Sequence, residues 1–327
     1  MPTLRDGVSP KEKPLLPNGI SPNAKPLLRD GAMATELERA GVVMHPTLWS
    51  AEALLTNVST IARVHQSYVD AGAEVLTTAT YQCSVLGFAD AGYSHADYMT
   101  ALRTGVQTAM QIRDTASLSG SPSDSRRRLK IFGGVGSVGA SLADGSEFTA
   151  AYTRTTDEYV AFHEERIHVL AAEGVDALLL ETMPRLDEVL VAAGIAMSVE
   201  VPTVIMFSIG PDGRLPDGNT LEQAAHALSV FDSIVGIGVN CCSPTLVLQA
   251  LRALRGATAQ PLVAVPNRCD HWLADERRWE TGHEHTDWHA FVPSWLELGM
   301  GLVGGCCHTR PQDIREMRAI IDAHQAT

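Results

Sequence analysis

The sequence predicts an α/β protein that folds as a (β/α)8 barrel, the TIM-barrel architecture. Two features predict this fold: eight short, nearly continuous apolar runs recur along the chain, and helix-like segments separate them. Continuous apolar runs are typical of parallel strands that are buried on both faces of the sheet. Eight such strands alternating with helices over about 300 residues favour closure into a barrel.

Each predicted strand has a centre rich in Val, Leu, Ile, Ala or Gly. The eight runs are KPLLRDG (25–31), EVLTTAT (74–80), KIFGGVG (130–136), DALLLET (176–182), PTVIMFS (202–208), IVGIGVN (234–240), PLVAVPN (261–267) and GLVGGCC (301–307). Predicted helices lie at 51–71, 150–174, 186–199, 221–231, 244–256 and 311–324. A doubly wound open sheet is the competing fold. However, DGAMATELE follows the first strand, where such a sheet usually carries a GxGxxG dinucleotide turn.

The chain of 327 residues divides into two unequal parts. Residues 1–24 are rich in Pro and Gly and are expected to form a loose leader. VSPKEKPLLPNG (8–19) is echoed once by ISPNAKPLLRDG (20–31), which runs into the first predicted strand, and two copies are too few for a solenoid. Residues 25–327 are expected to form the single barrel domain. A Ser-, Pro- and Arg-rich insertion at 116–128 interrupts the pattern, and its Arg126–Arg128 run favours a solvated surface over nucleic-acid contact.

Charge and hydropathy exclude several classes of partner. The formal net charge is −13, from 25 basic and 38 acidic residues, which argues against nucleic acids and anionic membranes as partners. No run of about 18 apolar residues predicts a membrane span, and no apolar segment near the start resembles a secretory signal. The expected setting is therefore the reducing cytoplasm, with small molecules as ligands. Nothing in the sequence indicates an oligomeric state.

The positions of the six cysteines are more informative than their number. They are Cys83, Cys241, Cys242, Cys269, Cys306 and Cys307. Two adjacent pairs end the sixth and eighth predicted strands. The carboxyl ends of barrel strands meet at one face, where barrel enzymes keep their chemistry, so thiolates from both pairs can converge. Other strand ends carry Asp30, Thr77, Thr80, Tyr81, Glu181, Asn240 and Asn267.

Three converging thiolates would suit Zn²⁺, which accepts sulfur ligands and keeps a fourth position open in catalytic sites. Adjacent strand residues face opposite ways, so one member of the first pair is expected to face the metal, and Cys241 is preferred to Cys242. Gly304 and Gly305 would let both Cys306 and Cys307 turn inward. Two alternatives stay open at this point: buried cysteines that serve only as small apolar residues, and a redox-active vicinal disulfide between Cys306 and Cys307.

Several segments together resemble the zinc-dependent homocysteine S-methyltransferase family. They are DGAMATELERAG (30–41), LWSAEAL (48–54), AGAEVLTTATYQ (71–82), SLADGSE (141–147), ETMP (181–184), GVNCCSP (238–244) and GGCCHTRPQDI (304–314). The resemblance covers roughly residues 25–325, and its GVNC and GGCC motifs are specific. It is greatest to the short, single-domain members that use S-methylmethionine or S-adenosylmethionine.

The resemblance implies a (β/α)8 barrel with one zinc ion held by Cys241, Cys306 and Cys307. It implies that Asp30 and Glu181 lie near the amino group of homocysteine. The backbone amides of Gly31 and Ala32 would lie near its carboxylate. Thr77 and Tyr81 would form a wall of the substrate pocket, with Asn240 just before the first ligand. From the residues alone, a carboxylate at a strand end could instead cap the helix that follows.

The implied activity is methyl transfer from a sulfonium donor, S-methylmethionine or S-adenosylmethionine, to zinc-bound homocysteine, which yields methionine. Two alternatives are kept: a methyltransferase for selenocysteine or another small thiol on the same scaffold, and a non-catalytic zinc-binding protein. Two segments depart from the family pattern. GSVGASLADGSE (136–147) is three residues shorter than the usual loop, and PNRCD (266–270) stands where PNSGE is usual. Both departures leave the preferred methyl donor open.

Overall fold

The structure, a computed structural model, describes residues 25–119, 129–268, 272–273, 278–279 and 286–325. The expected leader at 1–24, the Arg126–Arg128 run and Cys269 lie outside the described residues. The separation into a leader and a single barrel domain therefore stays a prediction.

Eight parallel strands form the barrel, which confirms the predicted fold. They are β1 (Leu27–Leu28), β2 (Val75–Thr77), β3 (Lys130–Gly136), β4 (Ala177–Met183), β5 (Thr203–Phe207), β6 (Ile234–Asn240), β7 (Leu262–Val265) and β10 (Met300–Val303). Neighbours run in the order β1-β10-β7-β6-β5-β4-β3-β2, and every pairing is parallel. Two short antiparallel strands, β8 (Trp272–Leu273) and β9 (Arg278–Trp279), lie between β7 and β10 in the chain.

The barrel closes between β1 and β2 through a narrow seam. A single parallel bridge joins Arg29 to Val75. The backbone N–H of Asp30 donates to the Val75 carbonyl at 2.9 Å, and that of Glu74 donates to the Leu28 carbonyl at 2.7 Å. Because β1 is only two residues long, this seam holds far fewer ladder bonds than the long β3–β4 pairing.

Helices surround the strands. They are α1 (Met33–Arg39), α2 (Ala53–Thr56), α3 (Val58–Asp70), α4 (Val85–Asp90), α5 (His95–Ser119), α6 (Val138–Ser141), α7 (Ser146–Thr149), α8 (Thr156–Ala172), α9 (Leu186–Ser198), α10 (Leu221–Leu228), α11 (Pro244–Ala257), α12 (Trp288–Leu296) and α13 (Pro311–His324). A 3-10 turn, Ser50–Glu52, precedes α2. Among the described residues, no helix is long and apolar enough to cross a membrane.

Local sequence explains several helix boundaries. Pro244 and Pro311 lie in the first turns of α11 and α13, where the predicted helices begin. Proline is tolerated there because an N–H in the first turn has no acceptor within the helix. Thr155 and Glu158 form a capping box at the start of α8. The predicted helix at 51–71 is instead divided at Asn57, whose φ of −137° and ψ of 34° are not helical.

Two apolar layers hold the barrel. Inside it, alternate strand residues pack into one buried cluster: Val75, Phe132, Ala177, Leu179, Val204, Met206, Val235, Val263, Val265 and Leu302. The other strand faces pack against the helices in a larger cluster. Both faces of most strands are therefore buried, which explains why the runs read as continuously apolar. The carboxyl ends of the strands are left to carry the polar residues.

Candidate active site

Three cysteine sulfurs converge at the carboxyl end of the barrel. Cys241 directly follows β6, and Cys306 and Cys307 lie in the loop after β10. Their Sγ atoms all lie within 4.8 Å of one another, and those of Cys241 and Cys307 are 3.4 Å apart. Cys241 has a φ of +53°, so the chain turns sharply as it leaves the strand. Cys242 packs into the apolar layer instead.

The GGCC segment is a tight turn rather than the end of a strand, and backbone contacts fix it. A Cβ on Gly305 would lie 2.1 Å from Oγ1 of Thr309, so only glycine fits there. The amide of Cys307 donates to Oδ1 of Asn267 at 3.1 Å, and the amide of Cys306 donates to the Pro266 carbonyl at 2.8 Å. The protein backbone therefore sets the positions of both cysteines.

The chemistry of the three sulfurs fits a soft metal ion. Thiol hydrogen bonds, first from Cys241 and then from Cys307, lower the pKa of Cys306 well below its ordinary value, with help from Arg29. Hydrogen bonding to Cys306 raises the pKa of Cys241, and burial adds to that shift, so the three thiols titrate as one group. Three clustered thiols leave room for a fourth ligand, which is the donor set expected of a catalytic zinc site.

A buried charged cluster lies beside the sulfurs. The Arg29 guanidinium donates to Oε2 of Glu181 at 2.8 Å, to Oγ1 of Thr77 at 2.6 Å and to the Gly305 carbonyl at 3.1 Å. Its Nε also lies 3.5 Å from Oδ1 of Asp30. Arg29 thus connects the ends of β1, β2 and β4 with the cysteine loop.

Burial dominates the titration of this cluster. It raises the pKa of Asp30 to about 6 and that of Glu181 to about 7, although Arg29 opposes both shifts. When both carboxylates are ionised, the cluster carries one net negative charge. Oδ1 of Asp30 has no hydrogen-bond partner among the described residues, while Oδ2 accepts the amide of Thr77 at 2.8 Å. This arrangement can accept one cationic group of a ligand.

A cavity of about 440 Å³ opens over the sulfurs and the charged cluster. This is within the range of small-molecule sites. Its lining includes all three clustered cysteines and most of the predicted substrate contacts: Asp30, Gly31, Ala32, Thr77, Tyr81 and Glu181.

The amides of Gly31 and Ala32 were both expected near the carboxylate of the substrate. The amide of Ala32 already donates to the Thr309 carbonyl at 3.2 Å. Asp30 caps no helix, since α1 begins after Ala32 without a side-chain cap.

Asn240 is not one of the residues that line the cavity. It is fully buried. Its Oδ1 accepts the backbone N–H of Thr182, and its Nδ2 donates to the hydroxyl of Thr182, each at 2.8 Å. Its Nδ2 lies 3.9 Å from Sγ of Cys306. Thr182 has a φ of +51° where the β4–β5 register shifts, directly after Glu181. Asn240 therefore supports the strained end of β4 and lies beside one sulfur, while its expected place among the substrate contacts stays a prediction.

Two buried charged residues at the cavity were absent from the predicted site. Arg29 stands inside an apolar run, and Glu147 ends the SLADGSE segment. Both side chains line the cavity and are buried, with residue exposures of 6% each. Charged residues are almost never buried without a partner or a function, so a charge within an apolar run was the available signal for Arg29. His308, with a φ of +63°, also lines the cavity.

The loop that carries Glu147 is held from below by a buried polar network. Glu188 accepts the amide of Val138 at 2.7 Å, contacts Nε2 of His163 at 2.8 Å and accepts the hydroxyl of Tyr152. Oγ of Ser208 donates to the Glu147 carbonyl at 2.6 Å. Such a satisfied network gives the loop a defined position.

Comparison with known proteins identifies the family. The sequence profile of the homocysteine S-methyltransferase family matches residues 27–321. The chain belongs to the homocysteine S-methyltransferase family. It is therefore a methyltransferase of this family, and the non-catalytic alternative is set aside.

Relatives in this family share most of the chain. The homocysteine S-methyltransferase of Escherichia coli K12 is 36% identical over 292 residues, covering 89% of this chain and 93% of the relative. The selenocysteine methyltransferase of Astragalus bisulcatus is 33% identical over 312 residues, covering 90% and 92%. The metallated form of the E. coli homocysteine methyltransferase MmuM has a TM-score of 0.80 at 33% identity, covering 91% and 97%.

The metallated state of that homocysteine S-methyltransferase and the cysteine cluster of this chain support the same coarse conclusion. A family member takes up a metal, and this chain brings three thiols to one point.

Proposed function

We propose that this chain is a zinc-dependent homocysteine S-methyltransferase. It moves a methyl group from a sulfonium donor, S-methylmethionine or S-adenosylmethionine, to homocysteine, which becomes methionine. One observation supports this proposal above all others: the three sulfurs of Cys241, Cys306 and Cys307 lie within 4.8 Å of one another on the wall of an acidic cavity. The proposed setting is methionine biosynthesis in the cytoplasm.

The donor set favours zinc. Sulfur ligands select soft or borderline ions, and three thiolates leave one coordination position for a substrate. Bound there, zinc would keep the thiol of homocysteine deprotonated at neutral pH, although a free thiol has a pKa near 8.5. Three anionic cysteines around it keep electron density on the substrate sulfur.

The reaction is a direct displacement. The homocysteine thiolate supplies the electron pair for the new S–C bond, while the bond between the methyl carbon and the positive donor sulfur breaks. The donor leaves as a neutral thioether, and the thiol proton goes to water. The protein contributes position and a dry, negatively charged site, and no general base is required.

Homocysteine would be oriented by the charged cluster. We assign its ammonium group to Asp30 and Glu181, whose cluster carries one net negative charge when both are ionised, and Oδ1 of Asp30 has no hydrogen-bond partner among the described residues. The amide of Gly31 is assigned to its carboxylate. Thr77 holds Asp30 through its amide and Arg29 through its hydroxyl, and Tyr81 lines the wall.

Selenocysteine is a second candidate acceptor. The similarity to the Astragalus selenocysteine methyltransferase supports it, since that relative matches over nearly the same length as the E. coli enzyme. A selenol has the same ligand and nucleophile roles at a thiolate-bound metal, so the same cavity could serve either acceptor.

Metal analysis and a two-donor assay test the proposal. Purified protein is expected to hold about one zinc per chain and to convert homocysteine with S-methylmethionine or S-adenosylmethionine to methionine. Parallel reactions with selenocysteine rank the two acceptors. Zinc binding without methyl transfer to any thiol or selenol would refute the proposal.

Matched cysteine variants test the metal ligands. Cys306→Ala should lose zinc and activity together, because two thiolates hold zinc poorly. Cys242→Ala is the control, since Cys242 adjoins a cluster residue but packs in the apolar layer. Full zinc content in Cys306→Ala would contradict the ligand assignment.

A further inference from the structure

The carboxylate of Glu147 is separate from the cluster assigned to homocysteine. Glu147 lines the same cavity but forms no ion pair with Arg29, whose guanidinium is taken up by Glu181 and Asp30. Its Oε2 is buried and has no hydrogen-bond partner among the described residues. Burial raises the pKa of Glu147 to about 7 although its own backbone amide opposes the shift, and a buried carboxylate oxygen without a partner points to a ligand that completes it.

The local structure holds Glu147 where it is despite that cost. Gly145, with a φ of +88°, turns the chain into α7, and Oδ1 of Asp144 accepts the amide of Ser146 at 2.9 Å. A Cβ on Gly139 would lie 2.7 Å from the backbone N of Glu147, so the loop packs without spare room. Glu147 therefore cannot relieve its burial by a small shift of the backbone.

Glu147 lines the same cavity as Tyr81 and the three clustered cysteines. Burial raises the pKa of Tyr81 well above its ordinary range, and the negative charge of Glu147 is the next largest cause, followed by Cys241. The charges of Glu147 and of the cysteine cluster therefore both disfavour ionisation of the Tyr81 hydroxyl. The donor sulfur must approach the acceptor sulfur at this cluster, and it brings a permanent positive charge.

We propose that Glu147 is a specificity-determining carboxylate that attracts the sulfonium of the methyl donor beside the cysteine cluster. This inference rests on the proposed function and adds the residue that selects a charged donor over its neutral thioether product. In a poorly hydrated cavity a carboxylate attracts a cation more strongly than in water. When the methyl group leaves, the positive charge disappears and the attraction is lost, which favours release of the thioether.

Equilibrium binding tests the inference apart from turnover. Zinc-loaded protein without homocysteine is titrated with S-methylmethionine and, separately, with methionine, which has the same ammonium and carboxylate but a neutral sulfur. Glu147→Gln should lower the affinity for S-methylmethionine about tenfold and change the affinity for methionine little. Glu147→Asp keeps the charge and should restore part of the preference.

Two controls separate this role from a structural one. Glu164→Gln removes the same charge from an exposed position on α8, outside the cavity lining, and should leave both affinities unchanged. Ligand-free Glu147→Gln should melt no lower than wild type, because the substitution removes a carboxylate whose ionised form is disfavoured by burial. In steady-state assays, the donor KM should rise and the homocysteine KM should stay the same.

The outcomes distinguish the inference from the proposed function. Unchanged S-methylmethionine binding in Glu147→Gln would overturn the role of Glu147 alone. An equal loss for methionine would also overturn it, since the carboxylate would then serve the ammonium group. Wild-type protein that neither binds nor uses either sulfonium donor would overturn both.

Discussion

Replacing Arg29 by Met is expected to destabilise the protein more than any surface substitution of the same kind. Arg29 is buried and bonds Glu181, Thr77 and the Gly305 carbonyl. Methionine fills much of the same volume but supplies no positive charge. The two carboxylates of the cluster would then be buried without their cation.

The expected loss follows from the burial of the pair. Removing one partner of a buried ion pair costs about 3–5 kcal/mol. For a barrel domain of about 300 residues, this corresponds to a fall in Tm of roughly 5–8 °C. The loss depends on pH because Asp30 and Glu181, with pKa values of about 6 and 7, can take up protons instead.

The sign of the pH dependence is fixed by the direction of those shifts. A carboxyl group whose pKa is higher in the folded than in the unfolded state loses stability as the pH rises through that interval. Arg29 opposes both shifts, so without it the pKa values rise further and the loss extends to higher pH. The gap between wild type and variant should therefore widen from pH 5 to pH 8.

Thermal unfolding at several pH values checks this prediction. Arg103→Met is the matched control, because the side chain of Arg103 is 52% exposed and its pairing with Glu173 lies on the surface. An exposed pair contributes at most about 1 kcal/mol. If Arg29→Met melts within 2 °C of Arg103→Met at pH 8, or if its deficit does not grow with pH, the reasoning about the buried cluster is refuted.

Three further changes have defined outcomes. Glu181→Gln should raise the homocysteine KM more than the donor KM, and an unchanged homocysteine KM would remove Glu181 from that subsite. Asn240→Ala should weaken zinc binding about tenfold, measured by chelator competition, because a supporting hydrogen-bond partner is lost; unaltered affinity would leave Asn240 only a role in β4. His65 is fully buried, its ring nitrogens have no hydrogen-bond partner in the part of the chain that the structure describes, and burial lowers its pKa to about 4. This shift leaves the free energy of unfolding unaffected above about pH 6.5 and reduces it as the pH falls from 6.5 through 4. His65→Leu should raise the melting temperature at pH 7 and reduce the loss of stability at acid pH. If urea titrations show the same loss of unfolding free energy between pH 7 and pH 4 as in wild type, this prediction is contradicted.

The fold was predictable because the barrel strands are buried on both faces and therefore carry continuous apolar runs. The extent of each strand was less predictable. The predicted run at 301–307 ends its strand at Val303, because the following glycines let the backbone leave the ladder. The break at Asn57 has no glycine or proline to mark it, so sequence periodicity continued through it.

The convergence of the cysteines was predictable for a topological reason, since parallel strands bring their carboxyl ends to one face. The charged cluster was not. Arg29 and Glu181 are 152 positions apart, and β1 is too short for its alternation to show which way Arg29 points. Asn240 was placed in the right region by its neighbour Cys241, but its direction depends on the irregular end of β4, which sequence alone does not reveal.

Because the seam between β1 and β2 is narrow, contacts from α13 help to keep the barrel closed there. Arg318 on α13 donates to Oε2 of Glu74 at 2.8 Å, and the same carboxylate oxygen accepts the amide of Leu28 at 3.2 Å. Lys25 pairs with Asp322 on the same helix. Local opening of the barrel should therefore begin when α13 detaches, and the amide of Asp30 should be among the first of the strand amides to exchange with solvent. Detachment of α13 from the outside of the barrel would in this way disturb Asp30, which lines the substrate cavity.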